Sequence, residues 1–153
     1  MDDTDDTGVF ARESPFLGRA VQVGVAAGRA ISVSFPETVP PGADAEHPLL
    51  DRLFAYLDGE RVGVTDVEVA LTVPTDRRRV LEAVRTIPYG ETVDVEAVAR
   101  MADLDPEDAA DRETATAALA ENPVPVFVPD HRAEGARGAT PADVAERLRD
   151  LEA

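Results

Sequence analysis

Hydrophobic spacing changes once along this chain, near Thr75, and that change constrains the fold more than any other feature. Before it, apolar residues recur with a period of two. Two β-rich runs, LGRAVQVGVA and RAISVSF, fall within about residues 18–35, with Ala27-Gly28 between them as a hairpin turn. A Pro/Gly-rich loop, PETVPPGADAEHP, follows. His47-Pro48 then opens a helix with proline at its first position, so His47 reads as a cap. Leu49, Leu50, Leu53, Phe54 and Leu57 share one face of it, and Gly59 ends it. Val67, Val69 and Leu71 alternate as a strand does.

After Thr75 the spacing is helical. Thr75 is expected to cap a helix with Val80, Leu81, Val84 and Ile87 inward, stopped by Pro88-Tyr89-Gly90. A short helix from about Asp94 carries Val95, Val98, Ala99 and Met101. Asp105-Pro106-Glu107-Asp108 reads as the start of another, running to about Ala120. VPVFVP is a short extended piece, since its prolines cannot serve a central strand. Thr140-Pro141-Ala142-Asp143 repeats the capping pattern and opens a last helix with Val144, Leu148 and Leu151 inward. Two short helices and an extended segment suggest a helix-turn-helix with a wing-like piece. The fold class expected is α+β, with an N-terminal α+β domain over 1–72 and a helical domain over 75–153.

Composition excludes several chemistries. There is no cysteine, so disulfides, thiolate metal sites and thiol catalysis are ruled out. The two histidines, far apart and without ligand spacing, give no metal signal, and no glycine-rich loop matches a phosphate cradle. No cofactor is expected. No apolar stretch approaches the roughly 20 residues of a membrane span. The first eight residues are acidic and polar, unlike a signal peptide, and read as disordered or salt-solvated. A soluble cytoplasmic protein follows. The net charge is -16, and every Lys+Arg position is an arginine. Acid spread from Asp2 to Glu152, with no lysine, favours a salt-adapted surface and a halophilic cytoplasm over an acidic binding face. Arg77-Arg78-Arg79 could touch phosphate or be ordinary surface.

Two motifs, IPYGET at 87–92 and NPVPVFVPDHR at 122–132, occur in an order and spacing that resemble the alkylguanine-DNA alkyltransferases. PLLDRLFAYLDGE and RRRVLEAVRTIPYGE are also similar to that family, and the likeness covers most of residues 30–152. The resemblance implies a small N-terminal α/β domain of ribonuclease-H-like type, followed by a winged-helix or helix-turn-helix alkyltransferase domain. It implies DNA with an alkylated guanine as partner, flipped out of the duplex and relieved of its alkyl group by a cysteine.

Carried over position by position, the resemblance puts the acceptor cysteine at Asp130, its histidine at His131, the relaying glutamate at Glu146 and the motif asparagine at Asn122. The phosphate-rotating tyrosine falls at Val95, and the gap-filling arginine near Glu113, with Arg112 one place off. Tyr89 and Arg132 complete the DNA-facing set. The loop after the second motif is shortened to AEGARGATP. A carboxylate needs no proton relay but is a poor nucleophile toward an alkyl carbon. Three readings follow: a transfer-inactive homologue that binds DNA or lesions, an interaction module that has left DNA, and a dealkylase whose Asp130 ester water can cleave. Asp130 is otherwise a polar residue bonded at the old site, and His131 a structural histidine.

Overall fold

The computed structural model describes residues 7–153. The expectation of a disordered start falls for the most part on residues 1–6, outside the described range. From Gly8 the chain is already a strand, which alternation had not suggested. β1 (Gly8–Ser14), β2 (Arg19–Ala26) and β3 (Arg29–Ser34) form an antiparallel sheet in that order. Ala27 and Gly28 both take positive φ, 51° and 78°, the backbone a two-residue hairpin turn of matching twist requires.

The helix α1 (Pro48–Leu57) begins as expected, with His47 Nδ1 accepting from Leu49 N at 3.0 Å. Its inward face differs from the expected one at three positions: Tyr56 joins Leu50, Leu53 and Leu57 in the interior, while Leu49 and Phe54 only pack against the core. Tyr56 is wholly enclosed. The strand expected over Val67–Leu71 does not form. One parallel bridge, Ala30 to Val69, is all that pairs there. Two arginines take carbonyls that a strand partner would have used: Arg85 donates to Val67 O and Arg78 to Leu71 O.

Helix α2 (Thr75–Val84) has Pro74 at its cap position, and Thr75 makes no side-chain cap. β4 (Val93–Asp94) leads into α3 (Val95–Met101), which Asp94 caps through Ala97 N at 2.8 Å. Met101 points outward and is 46% exposed. Helix α4 (Ala109–Ala120) starts later than the Asp105-Pro106 signature predicts. Asp105 instead closes a turn: its Oδ1 accepts from Glu107 N, and Asp111 Oδ2 accepts from Asp105 N. Helices α2, α3 and α4 pack on one another.

The VPVFVP segment is buried and non-strand apart from one bridge, with Val126 at φ 75°. A short 3₁₀ turn holds Asp130–Arg132, and β5 (Ala133–Glu134) then pairs in parallel with β4. That pairing, not VPVFVP, is the strand contact of the second half. Helix α5 (Ala142–Glu152) follows Pro141, with no side-chain cap from Thr140. Val144 and Leu148 are buried as expected, and so is Glu152. The molecule is therefore α+β, with a three-stranded antiparallel sheet, a two-stranded parallel pair and five α-helices among the described residues. No helix is long and apolar enough to cross a membrane.

Candidate functional site

The 3₁₀ turn places three consecutive polar side chains, Asp130, His131 and Arg132, in the interior, each no more than 3% exposed. Such burial is tolerated only where each group finds partners.

Asp130 finds them in a loop and a helix start. Its Oδ2 accepts from Asn122 Nδ2 at 2.9 Å, and Thr140 N approaches both carboxylate oxygens at 3.3 and 3.4 Å. Asn122 is itself held, donating to Val128 O and accepting from Val124 N. Burial raises the Asp130 carboxyl above its ordinary value, against the lowering effect of its hydrogen bonds to Thr140 and Asn122 and of nearby His131. Gly138 closes over the carboxylate. A Cβ there would stand 2.5 Å from Asp130 Oδ1, so only glycine fits without displacement.

His131 faces the other way. Its Nε2 lies 2.7 Å from Glu152 Oε2, and Tyr56 Oη approaches the same nitrogen at 3.4 Å. A carboxylate only accepts, so Nε2 is the nitrogen that donates to Glu152, and Nδ1 is the other side of the ring. Nδ1 is buried with no hydrogen-bond partner, and so is the Thr140 hydroxyl. Both residues line a small cavity of about 130 Å³ with Asp130, Gly138, Arg137 and Arg149.

Glu152 is the centre of this network. Arg132 grips it with a two-bond fork, Nε to Oε1 at 2.9 Å and Nη2 to Oε2 at 3.0 Å. Tyr56 Oη donates to Oε2, and Gly90 N to Oε1 at 3.1 Å. Burial alone would raise this carboxyl, but bonds from His131 and Arg132 outweigh it and hold it well below the usual carboxylate range. Burial, then the bond to Glu152, pushes the Tyr56 hydroxyl up. The IPYGET segment supports the same centre: Ile87 O accepts from Arg132 Nη1 at 2.8 Å, and Tyr89 Oη donates to Leu151 O at 3.3 Å.

The structure thus brings Asn122, Asp130 and His131 together and leaves Glu146 out. Glu146 lies on the exposed face of α5, beside a surface hollow shared with Phe16 and Arg147. The glutamate on His131 is Glu152. Helical spacing from Val144 and Leu148 points to it, since four further residues along the same face reach position 152. Tyr56, Gly138 and Thr140 were also missed, and nothing in the local sequence marks them.

The DNA-facing candidates divide. Arg112 and Glu113 are exposed near the start of α4, and Val95 is half-buried at the start of α3. Arg132 is not at the surface. Its guanidinium is buried and bonded to Glu152 and Ile87 O, so it presents no face to a phosphate. Tyr89 is half-buried, edge-on to Tyr56 at 6.2 Å and covered by the Arg61 guanidinium at 4.2 Å. Among the described residues, no group of three or more His, Cys, Asp or Glu is placed to hold a metal ion.

Residues 75–151 match the family described as 6-O-methylguanine DNA methyltransferase, DNA binding domain. A methylated-DNA–protein-cysteine methyltransferase of Methanopyrus kandleri is 36% identical over 111 residues, 71% of this chain and 80% of that protein. One from Archaeoglobus fulgidus is 32% identical over 108 residues, 71% of this chain and 68% of that protein. Among solved structures, Mycobacterium tuberculosis OGT in complex with DNA superposes with a TM-score of 0.71 at 26% identity, covering 94% of this chain and 92% of that one. The O6-methylguanine-DNA methyltransferase of Pyrococcus kodakaraensis gives 0.70 at 17% identity, covering 95% and 99%, a likeness of fold alone.

Proposed function

This chain belongs to the 6-O-methylguanine DNA methyltransferase family of alkyltransferase-type repair proteins, and from that premise we propose that it binds DNA, reads alkylated guanine there, and does not take the alkyl group onto itself. The observation that carries the reading is Asp130. It stands where the resemblance puts the acceptor cysteine, in a chain without cysteine, and its carboxylate is closed in by Asn122, Thr140 and Gly138. A carboxylate sealed in this way has neither the polarisability of a thiolate nor an open approach to an alkyl carbon.

Around that substitution the supporting parts are intact. His131 keeps its carboxylate partner, and the Asn122 loop keeps its internal bonds. A scaffold that had lost all contact with lesions would have little reason to hold an unpartnered imidazole nitrogen and a threonine hydroxyl beside a small cavity.

The rival reading is an interaction module that has left DNA. It rests on acid around the start of α4, where Glu107, Asp108, Asp111 and Glu113 crowd a helix that should meet phosphates. A titration of labelled duplexes with and without O6-methylguanine, across a salt series, separates the two. The DNA reading expects tighter binding to the methylated duplex, with affinity falling as salt rises. Equal absence of binding at all salts would favour the module. A methyl adduct at Asp130 that disappears with time would favour the third reading, a hydrolysing carboxylate.

A further inference from the structure

A second polar site lies away from Asp130, at the seam between the sheet and α2. A groove of about 360 Å³ is lined by Arg29, the Val69–Thr72 segment, and Arg78, Glu82 and Arg85. Positions 78, 82 and 85 share one face of α2 and its last turn. The chain carries 31 Asp+Glu against 15 arginines, so chance placement would surround three guanidinium groups with more acid than this. Here one carboxylate, Glu82, lines the groove with them.

The way two of these arginines are held is the stronger observation. Arg85 is half-buried, and its Nε donates to Phe127 O at 3.0 Å and its Nη2 to Val67 O at 2.6 Å. Arg78 Nη2 donates to Leu71 O at 2.9 Å. Carbonyls fix a guanidinium in place but do not neutralise it. Neither arginine is ion-paired among the described residues, and the Nη1 of each is unspent. Arg29 faces Glu68 only loosely, at 4.0 Å, with both side chains largely exposed. Burial lowers the pKa of Arg85, with Asp66 and Glu82 opposing at longer range. The groove therefore combines pre-positioned planar donors with three positive charges that Glu82 and the loosely held Glu68 only partly offset. Planar forks of this kind match a tetrahedral oxyanion through paired N–H bonds.

We propose that the groove formed by Arg29, Arg78 and Arg85 binds a phosphate-type anion, either free or carried by a nucleotide. The volume falls within the roughly 300–1,000 Å³ usual for small-molecule sites. An anion seated there bridges β3 and α2 and so ties the sheet to the helical half. The inference does not rest on the DNA reading, since none of these residues touches the Asp130 network.

The test is calorimetric titration of the full chain with pyrophosphate and, separately, with a nucleoside triphosphate, at fixed low ionic strength set by chloride. Saturable binding is expected, weakened about tenfold or more in Arg29→Gln and in Arg85→Gln, as loss of a charge-assisted bond implies. Equal affinity for both probes identifies the phosphate group as the whole ligand; binding of the triphosphate alone identifies a nucleotide. Arginine Nε–H resonances, assigned by those substitutions, should shift for Arg85 on titration. This readout on the wild type stands even where Arg85→Gln does not fold. No saturable binding through the millimolar range overturns the proposal. So does binding that both substitutions leave unchanged, or a titration that shifts arginine resonances other than Arg29, Arg78 and Arg85.

Discussion

His131 Nε2 and Glu152 Oε2 stand 2.7 Å apart in the interior, and the same carboxylate is forked by Arg132. Three elements distant in sequence meet there: Tyr56 from α1, the turn at Asp130–Arg132, and the end of α5. A buried carboxylate with this many donors is stabilising only while the set is complete, because removing one member strands the others without water.

Replacing Glu152 by alanine leaves the Arg132 guanidinium buried and unpaired. Loss of one partner of such a pair costs about 3–5 kcal/mol. Glu152→Ala is therefore expected to lower the urea midpoint sharply, with Glu146→Ala within about 0.5 kcal/mol of wild type as an exposed substitution. Equal, small effects for both would show that the network contributes no net stability.

Acid should weaken the wild type through the same residue. The Glu152 carboxyl is depressed in the folded chain, so its contribution is present above the unfolded glutamate value of about 4.3 and is lost as pH falls through the lower folded value. Glu152→Gln lacks this titration. The stability gap between wild type and Glu152→Gln should shrink as pH is lowered below about 4. A gap constant down to the acid limit would contradict the paired, ionised state.

Asp130 carries the opposite sign. Burial raises its folded value, so the native chain holds this proton more tightly than the unfolded one. Its contribution is greatest below the unfolded aspartate value of about 3.9 and declines as pH rises through the folded value. Asp130→Asn removes the titration. Unfolding measured across pH should show the asparagine variant gaining on wild type as pH rises above about 4. A gap that moves the other way would mean that Asn122 and Thr140 outweigh desolvation.

Gly138 offers a direct test of the closed carboxylate. A Cβ at 2.5 Å from Asp130 Oδ1 and 2.7 Å from its Cγ forces one of them to move. Gly138→Ala should cost about 1–3 kcal/mol, as overpacking does. Combined with Asp130→Ala, much of that cost should vanish, since the two nearest atoms are gone and only the Cβ at 3.0 Å remains. Additive costs in the double-mutant cycle would place the clash elsewhere.

Most of the apolar interior of α1, α2 and α5 is legible in the sequence because burial follows 3.6-residue spacing, whereas Met101 of α3 keeps the spacing and still points outward. Helix ends were less so. Asp105 and Thr140 sit in cap-like sequences, yet their neighbours are bonded elsewhere: Asp111 takes the Asp105 N–H, and Asp130 takes that of Thr140. The Val67–Leu71 alternation misled because arginines from α2, not a strand, satisfy its carbonyls. Motif position points to Glu146, whereas the inward face of α5 selects Glu152. Tyr56 could not be read as part of the site, because its partner lies 96 residues away.

Asp130→Cys alone is not expected to restore alkyl transfer from duplex DNA. A proton acceptor stands beside such a thiol: His131 Nδ1 has no hydrogen-bond partner, and Glu152 on Nε2 would stabilise an imidazolium formed there. Access is the obstacle. The cavity beside residue 130 is about 130 Å³, against roughly 300 Å³ or more for ordinary ligand sites. Extruding a base costs a few kcal/mol of stacking and pairing, which the protein must offset. Here Glu113 stands beside Arg112 on the helix that would meet the gap, and a carboxylate near a phosphate adds to the cost. Intact-mass spectrometry after incubation with methylated duplex should show no adduct on wild type and slow, substoichiometric methylation of Asp130→Cys. The same variant given free O6-methylguanine, which needs no flipping, should react more readily than with duplex. Fast stoichiometric methylation from duplex would mean that the base enters readily and that Asp130 alone blocks the reaction.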